Sequence, residues 1–137
     1  MPHTQSRPAS FRRSRLIAVG VGGAAGELAR AGLSEALPTG GGWPWGTFTA
    51  NMLGTVVLVW LFAYLTGRGP VTRLWRLLVG AGFCGALTTF STLQVEVIDI
   101  TRDGRPGLAV GYGATTLVAG LVLAIVAAGL GREMSHG

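Results

Sequence analysis

Four long apolar segments constrain this chain more than any other feature of its sequence. They cover residues 16–34, 46–66, 74–100 and 107–130. A helix needs roughly 20 residues to cross a hydrocarbon core of about 30 Å, and all four segments are about that long or longer. Strands do not explain them, because period-2 alternation is absent and a lone strand would leave its backbone unpaired in lipid. The sequence therefore predicts an all-α membrane protein whose four transmembrane helices form one domain, residues 16–131.

The charged residues are few and lie mostly outside the apolar segments. Only 12% of the 137 residues are charged, whereas soluble domains average roughly 25%. Every basic residue is an arginine, and most arginines flank the segments, beginning with a basic arm at residues 1–15 and ending with a polar tail at 132–137. This placement is typical of chains embedded in membrane lipid, and it argues against a nucleic-acid partner despite the formal net charge of +5.

Two glycine pairs predict close packing between helices. Gly22 and Gly26 lie one helical turn apart in the first segment, and Gly107 and Gly111 lie one turn apart in the fourth. Pairs of small residues at this spacing let helix backbones approach closely in lipid. The pattern is common, so it indicates tight bundling and no particular function.

Three polar side chains in the first two segments each allow two interpretations. Glu27 and Arg30 share a helix face, so they either form a local ion pair near the membrane edge or present charge to a water-filled vestibule. Asn51 opens the second segment. Its amide either joins two helices by hydrogen bonds or donates to a passing anion, and on its own it favours the first role.

The third segment holds the most informative polar residues. Four hydroxyl side chains follow a glycine-rich stretch within five positions: Thr88, Thr89, Ser91 and Thr92. Such residues weaken a helix locally, and the length of this segment leaves room for a break in the middle of the membrane. Broken helices free backbone groups that are tolerated only when buried or lining an ion path. Freed carbonyls suit a hard cation such as Na⁺, and hydroxyls and phenyl edges suit an anion, so the segment predicts an ion site of either sign or both.

The chain carries no recognisable constellation of catalytic residues. Its histidines, His3 and His136, are near the termini, and Ser91 has no histidine or lysine nearby in sequence to act as a base. Phosphate-binding loops and clusters of metal-ligating side chains are also missing from the sequence. The sequence therefore predicts a protein that is not an enzyme.

Three motifs together resemble the CrcB/Fluc family of fluoride channels. Residues 82–92 (GFCGALTTFST), followed by Glu96, resemble the third-helix motif of that family. Residues 46–54 (GTFTANMLG) resemble its second-helix motif, and residues 22–26 (GGAAG) with Arg30 resemble its first. The motifs occur in the family's order and cover the chain apart from its tails, and the third-helix motif is highly specific.

The resemblance implies a four-helix subunit that pairs antiparallel with a second subunit to form two fluoride pores and one central structural Na⁺ site. Backbone carbonyls of Gly85 and Thr88 would bind the Na⁺. Arg30 would shape a positive vestibule and Glu96 would stand near a pore mouth. Side chains from three helices would line or adjoin the pore: Thr47, Asn51, Phe90, Ser91, Thr92, Leu93, Tyr112 and Thr116.

Leu93 departs from the family pattern and leaves an alternative open. The family usually has a second phenylalanine at this position, one turn after Phe90, and an aliphatic side chain offers no positive ring edge to an anion. The chain is therefore either a conducting subunit or a non-conducting partner that supports another subunit. A third reading is a small multidrug antiporter that would rely on Glu27, although it leaves the third-helix motif unexplained.

The distribution of arginines predicts one orientation in the cell membrane. The positive-inside rule places both termini in the cytoplasm. A chain fixed in one orientation cannot be its own antiparallel partner, so we expect a heterodimer with an oppositely inserted relative, and a homodimer if enough chains still invert. The outer side would hold only Arg102 and Arg105. The cytoplasmic side would hold Arg7, Arg12, Arg13, Arg15, Arg68, Arg73, Arg76 and Arg132.

Overall fold

A computed structural model describes residues 9–66 and 72–136, and its regular structure there is helical. The elements are α1 (Ala9–Ala36), α2 (Trp45–Tyr64), α3 (Thr72–Trp75), a π-helix (Arg76–Cys84), α4 (Gly85–Leu87), α5 (Phe90–Arg102) and α6 (Pro106–His136). Four helical stretches are long and apolar enough to cross a membrane. The expected all-α fold with four span-length helices is therefore confirmed.

The helix ends differ from the apolar limits in the sequence. α1 begins at Ala9, inside the predicted arm, and α6 continues to His136, inside the predicted tail. Arginine is a good helix former, so helical hydrogen bonding continues past the point where apolar character stops. α2 instead ends at Tyr64, before the expected residue 66, where the Thr66 N–H bonds to the Ala63 carbonyl three residues back (3.4 Å) and so leaves the α-helical pattern. His3, Arg7, Arg68 and Gly137 lie outside the described residues.

The third span is built from four consecutive elements, α3, the π-helix, α4 and α5. Thr88 and Thr89 leave helical geometry, with φ/ψ of −84°/143° and −146°/119°. The span is therefore interrupted within the run of hydroxyl residues. The nine-residue π-helix before the interruption was not expected from the sequence.

Glycines of α1 contact the π-helix backbone directly. A Cβ atom on Gly22 would meet the Leu78 carbonyl, and one on Gly26 would meet the Phe83 carbonyl. From the other side, a Cβ on Gly82 would lie 2.8 Å from the Val19 carbonyl oxygen. The first predicted glycine pair therefore packs as expected. The second pair, in α6, meets no atom within 4 Å among the described residues.

The spans alternate in direction and give the bundle two faces. α2 packs mainly on α6, and α1 packs mainly on the π-helix. We call the end where α1 begins and α6 ends the terminal face. The opposite end, with loop 37–44 and the α5–α6 turn, is the loop face. Many large apolar side chains point outward, with Leu117 63% and Ile125 63% exposed on α6, as a lipid or subunit boundary requires.

Candidate functional site

The amide of Asn51 holds the interruption of the third span. Its Nδ2 donates to the Thr89 carbonyl (3.2 Å), and its Oδ1 accepts from the Thr89 N–H (2.8 Å). One side chain on α2 thus satisfies both backbone groups of a residue outside the helix. Of the two roles open to Asn51 in the sequence, the structure provides the hydrogen-bonded link between helices. The second Nδ2 hydrogen has no protein acceptor in the described structure.

Thr89 organises the start of α5, a role that was not predicted from the sequence. Its Oγ1 accepts from the Thr92 N–H (3.2 Å) and donates to Thr92 Oγ1 (2.9 Å). Ser91 Oγ lies 3.3 Å from the same hydroxyl. A threonine immediately before an apolar helix is a normal N-cap signal, so the N-cap role of Thr89 could have been predicted from the sequence. The three hydroxyl groups form one polar cluster at the amino end of α5.

A groove of about 260 Å³ runs beside this cluster. Phe90 is 65% exposed at the groove, whereas Leu93 is only 6% exposed. Leu93 also belongs to a buried cluster with Ile100, Ala109 and Tyr112, so it contributes to the core as well as to the lining of the groove. We call this the Phe90 groove; it is lined by Asn51, Met52, Thr55, Thr88, Thr89, Phe90, Leu93, Thr116, Leu117 and Gly120.

The interruption frees two carbonyl groups from their helical donors. The Thr89 N–H bonds to Asn51 rather than to the Gly85 carbonyl four positions earlier. The Thr92 N–H bonds to Thr89 Oγ1 rather than to the Thr88 carbonyl. Carbonyl oxygens without donors suit a hard cation, so the two residues expected to bind Na⁺ fit that role. The Thr88 hydroxyl donates to the Cys84 carbonyl (2.9 Å), so only its oxygen lone pairs remain as acceptors.

A second polar cluster surrounds the carboxylate of Glu96. Thr47 Oγ1 donates to Glu96 Oε1 (2.6 Å), and the Tyr112 hydroxyl donates to Glu96 Oε2 (2.7 Å). Thr47 is 5% exposed and Tyr112 is fully buried. The cluster joins α2, α5 and α6, and short bonds from two hydroxyls stabilise a charge in an apolar bundle. Glu96 therefore lies between helices, where one side of it also borders a cleft on the loop face.

Aromatic rings pack against one another between the Glu96 cluster and the loop face. The Trp43 ring meets Tyr112 edge to face at 5.2 Å and Phe48 at 5.8 Å. The loop that carries Trp43 is held by Arg105, whose guanidinium donates to the Gly41 carbonyl (2.6 Å). Gly41 and Gly42 have φ of 64° and 89°, which favour glycine. Trp43 thus packs inward against the buried cluster of Leu93, Ile100, Ala109 and Tyr112.

Two other residues expected at the site have local partners. The Thr116 hydroxyl donates to the Tyr112 carbonyl of its own helix (2.8 Å), so in this rotamer it presents only acceptor lone pairs. Arg30 forms an ion pair with Glu27 one turn away. Its charge is therefore partly neutralised near the loop face, as the local-pair interpretation expected.

Comparison with known proteins gives consistent matches along most of the chain. Residues 17–130 match the family model described as "CrcB-like protein, Camphor Resistance (CrcB)". A protein named fluoride-specific ion channel FluC 1 from Mycolicibacterium paratuberculosis is 46% identical over 121 residues, covering 87% of this chain and 91% of the relative. A FluC 1 protein from Mycobacterium bovis is 43% identical with the same coverage. A FluC 2 protein from Geobacillus kaustophilus is 40% identical over 77% of this chain and 84% of its own length.

Proposed function

The chain belongs to the CrcB family, and on that premise we propose that it is a subunit of a fluoride-selective channel that lets fluoride leave the cytoplasm and so lowers its toxicity. The family is one of ion channels and not of enzymes, and four span-length helices make the chain a multi-pass membrane protein. One observation carries the proposal within this structure. The interrupted third span is braced by Asn51 directly beside the Phe90 groove.

The groove offers the donors that a fluoride path requires. Fluoride is small and strongly hydrated, so a pore must replace its water with close donors that bind it without trapping it. Asn51 keeps one amide hydrogen beyond its bond to Thr89, Ser91 is exposed, and the exposed Phe90 lines the groove. A phenyl edge is a weak donor, which suits a site that an anion must leave again. Thr92 adds its hydroxyl from the same turn.

The Glu96 cluster would form the next part of the path toward the loop face. Thr47 and Tyr112 each give their only hydroxyl hydrogen to the carboxylate. An anion that approached would have to compete with Glu96 for these donors. Thr116 would contribute its hydroxyl only after rotating away from the Tyr112 carbonyl. Arg30, near the loop face, would attract anions toward the entrance to the extent that Glu27 leaves its charge uncompensated.

The carbonyl groups of Gly85 and Thr88 would hold a structural Na⁺ between two subunits. Both carbonyls have lost their helical donors at the interruption, which supports a cation role for backbone atoms alone. Two carbonyls are too few ligands for Na⁺, but an antiparallel dimer would bring together four. Such a dimer would bury the interruption in the middle of the membrane and would contain two pores. Bound Na⁺ would supply a fixed positive charge and a link between subunits.

The alternative is a non-conducting subunit of a heterodimeric channel. Leu93 favours this alternative, because it takes part in core packing and offers no ring edge. The distribution of charge between the two faces favours it as well, since it would fix both termini in the cytoplasm. The small multidrug antiporter has no such support, because Glu27, its expected acidic residue, is paired with Arg30.

Fluoride efflux from liposomes that hold this chain alone tests the proposal. The wild type is expected to release fluoride and not chloride. Phe90→Leu is expected to reduce fluoride release at least about tenfold, which corresponds to about 1.4 kcal/mol at the barrier, because leucine offers no ring edge to the anion. Phe62→Leu is the matched control, because Phe62 is also exposed but lies on α2 near the terminal face. No fluoride release from the wild type would favour the non-conducting subunit. Equal release by wild type and Phe90→Leu would contradict the assignment of the groove as the pore.

A further inference from the structure

A second groove, on the terminal face, combines basic and apolar side chains in its lining. It has a volume of about 240 Å³ and is lined by Arg12, Arg15, Leu16, Val19 and Leu77. The first four lie on one face of α1, at i, i+3, i+4 and i+7, and Leu77 comes from the π-helix that packs against α1. We call this the α1 groove. It shares no residue with the Phe90 groove or the Glu96 cluster.

Polarity changes along the α1 groove in one direction. Arg12 lies nearest the start of α1, and Val19 lies about 10 Å further into the bundle, given 1.5 Å per residue. Leu16 is 70% exposed, so the inner part of the groove offers uncovered apolar surface. A single molecule that matched this profile would carry an anionic group at one end and a hydrocarbon chain running inward from it.

Neither guanidinium group of the α1 groove has a counter-charge within the part of the chain that the structure describes. Among the described residues, the ion pairs join Arg30 to Glu27 and Arg102 to Asp99, and neither involves Arg12 or Arg15. The nearby Arg76 is used differently, because its guanidinium donates to the Leu65 carbonyl and lies over the Phe62 ring. Arginine presents a planar fork of donors that fits phosphate oxygens in pairs. Two unpaired forks at a membrane surface therefore favour a phosphate.

We propose that the α1 groove binds one anionic phospholipid, with its phosphate on Arg12 and Arg15 and an acyl chain along Leu16, Val19 and Leu77. The phosphate gains two charge-assisted contacts, and the acyl chain covers apolar surface between α1 and the π-helix. The bound lipid would fill the outer junction of the two elements whose backbones touch deeper in the bundle, at Gly22 and Gly26. The site would thus couple the lipid composition of the membrane to the packing of the third span.

Lipid titration into delipidated protein in detergent, followed by native mass spectrometry, tests this site independently of membrane orientation. Phosphatidylglycerol is expected to bind more tightly than phosphatidylcholine with the same acyl chains. Each interfacial basic residue is worth about fivefold in affinity, so Arg12→Gln with Arg15→Gln should weaken phosphatidylglycerol binding about 25-fold. Replacing both by lysine should restore only part of the affinity, because lysine keeps the positive charge but lacks the paired donors of the guanidinium group. Arg132→Gln, which removes a charge from the same face outside the groove, should change it less than about twofold.

Two further measurements separate a lipid site from a simple phosphate site. Leu16→Ser removes apolar groove surface at an exposed position, and it should weaken phosphatidylglycerol binding while leaving helix content unchanged by circular dichroism. Glycerol 3-phosphate should not displace the lipid at equal concentration. Equal binding of the two lipids, equal loss in Arg132→Gln and the double variant, or displacement by glycerol 3-phosphate would each overturn the proposal.

Discussion

At the scale of single residues, Asn51 has the most consequential contacts in the bundle. A residue that leaves a helix inside an apolar environment exposes an N–H and a C=O that lipid cannot satisfy. Asn51 provides a partner for both groups of Thr89 from a neighbouring helix. The extended Thr88 and Thr89 and the freed carbonyls lie where these two bonds hold the third span against α2.

Asn51→Ala is therefore expected to lower both thermal stability and fluoride efflux. Removing the amide leaves two partly buried backbone groups unpaired, at up to about 1–3 kcal/mol each. Thermal unfolding in detergent and efflux from liposomes measure the two effects. Met52→Leu, a nearly volume-conserving change beside it, should cost less than about 1.5 kcal/mol. An Asn51→Ala protein with wild-type stability and no efflux would instead indicate that the amide acts on the ion alone.

The two hydroxyl donors to Glu96 are expected to be energetically coupled. Thr47→Val and Tyr112→Phe each remove one hydroxyl donor from the Glu96 carboxylate, and the double variant removes both of these donors. Groups that share a partner show interaction energies of about 0.5–3 kcal/mol in double-mutant cycles. Unfolding free energies of the four proteins give that value. Strict additivity would show that the two bonds to Glu96 act separately.

At the scale of elements, the sequence predicts the number of spans well and their internal geometry poorly. Apolar length sets the four spans, and the hydroxyl run correctly marks where the third one is interrupted. The π-helix leaves no comparable pattern, because the residues of Arg76–Cys84 would suit an α-helix equally well. The π-helix packs closely against α1. The local sequence of residues 76–84 cannot show this tertiary contact. The role of Thr89 was predictable from capping rules, but its bonds to Asn51 join positions far apart in sequence.

Alanine substitutions along α1 should separate glycines that pack from glycines that do not. Gly22→Ala and Gly26→Ala place a methyl group against carbonyls of the π-helix, which cannot yield as a flexible side chain would. We expect loss of monodisperse protein in size-exclusion chromatography. Gly20→Ala and Gly23→Ala meet nothing within 4 Å, and they should be neutral or stabilising by up to about 1 kcal/mol through helix propensity. Equal behaviour of all four variants would contradict the observed packing.

At the scale of the whole molecule, charge is divided unequally between the two faces. The described arginines of the terminal face are Arg12, Arg13, Arg15, Arg73, Arg76 and Arg132, where Glu133 is the accompanying acidic residue. The loop face carries Arg30, Arg102 and Arg105 together with Glu27, Glu35, Asp99 and Asp103. Positive charge is retained on the cytoplasmic side during insertion, so this division favours one orientation.

A topology experiment should find one dominant orientation, with the terminal face in the cytoplasm. A reporter fused to the carboxyl terminus should be active only when cytoplasmic, and a cysteine introduced at the exposed Thr101, near the end of α5, should be labelled from outside intact cells. Cys84 is buried and should give little background. Two equal populations, together with strong fluoride efflux from this chain alone, would contradict the heterodimer and support a homodimer.

The helices differ in length, and that difference makes the thickness of the bilayer a variable for this protein. α2 has 20 residues and is about 30 Å long, close to the hydrocarbon core. α6 has 31 residues and is about 46 Å long. A helix that exceeds the hydrocarbon thickness must tilt, extend into the headgroups or thicken the bilayer around it. Because α2 and α6 pack along each other and both contribute to the Glu96 cluster, thinner membranes would favour a larger tilt of α6. Hydrophobic mismatch would thereby change the angle at which Tyr112 meets the carboxylate.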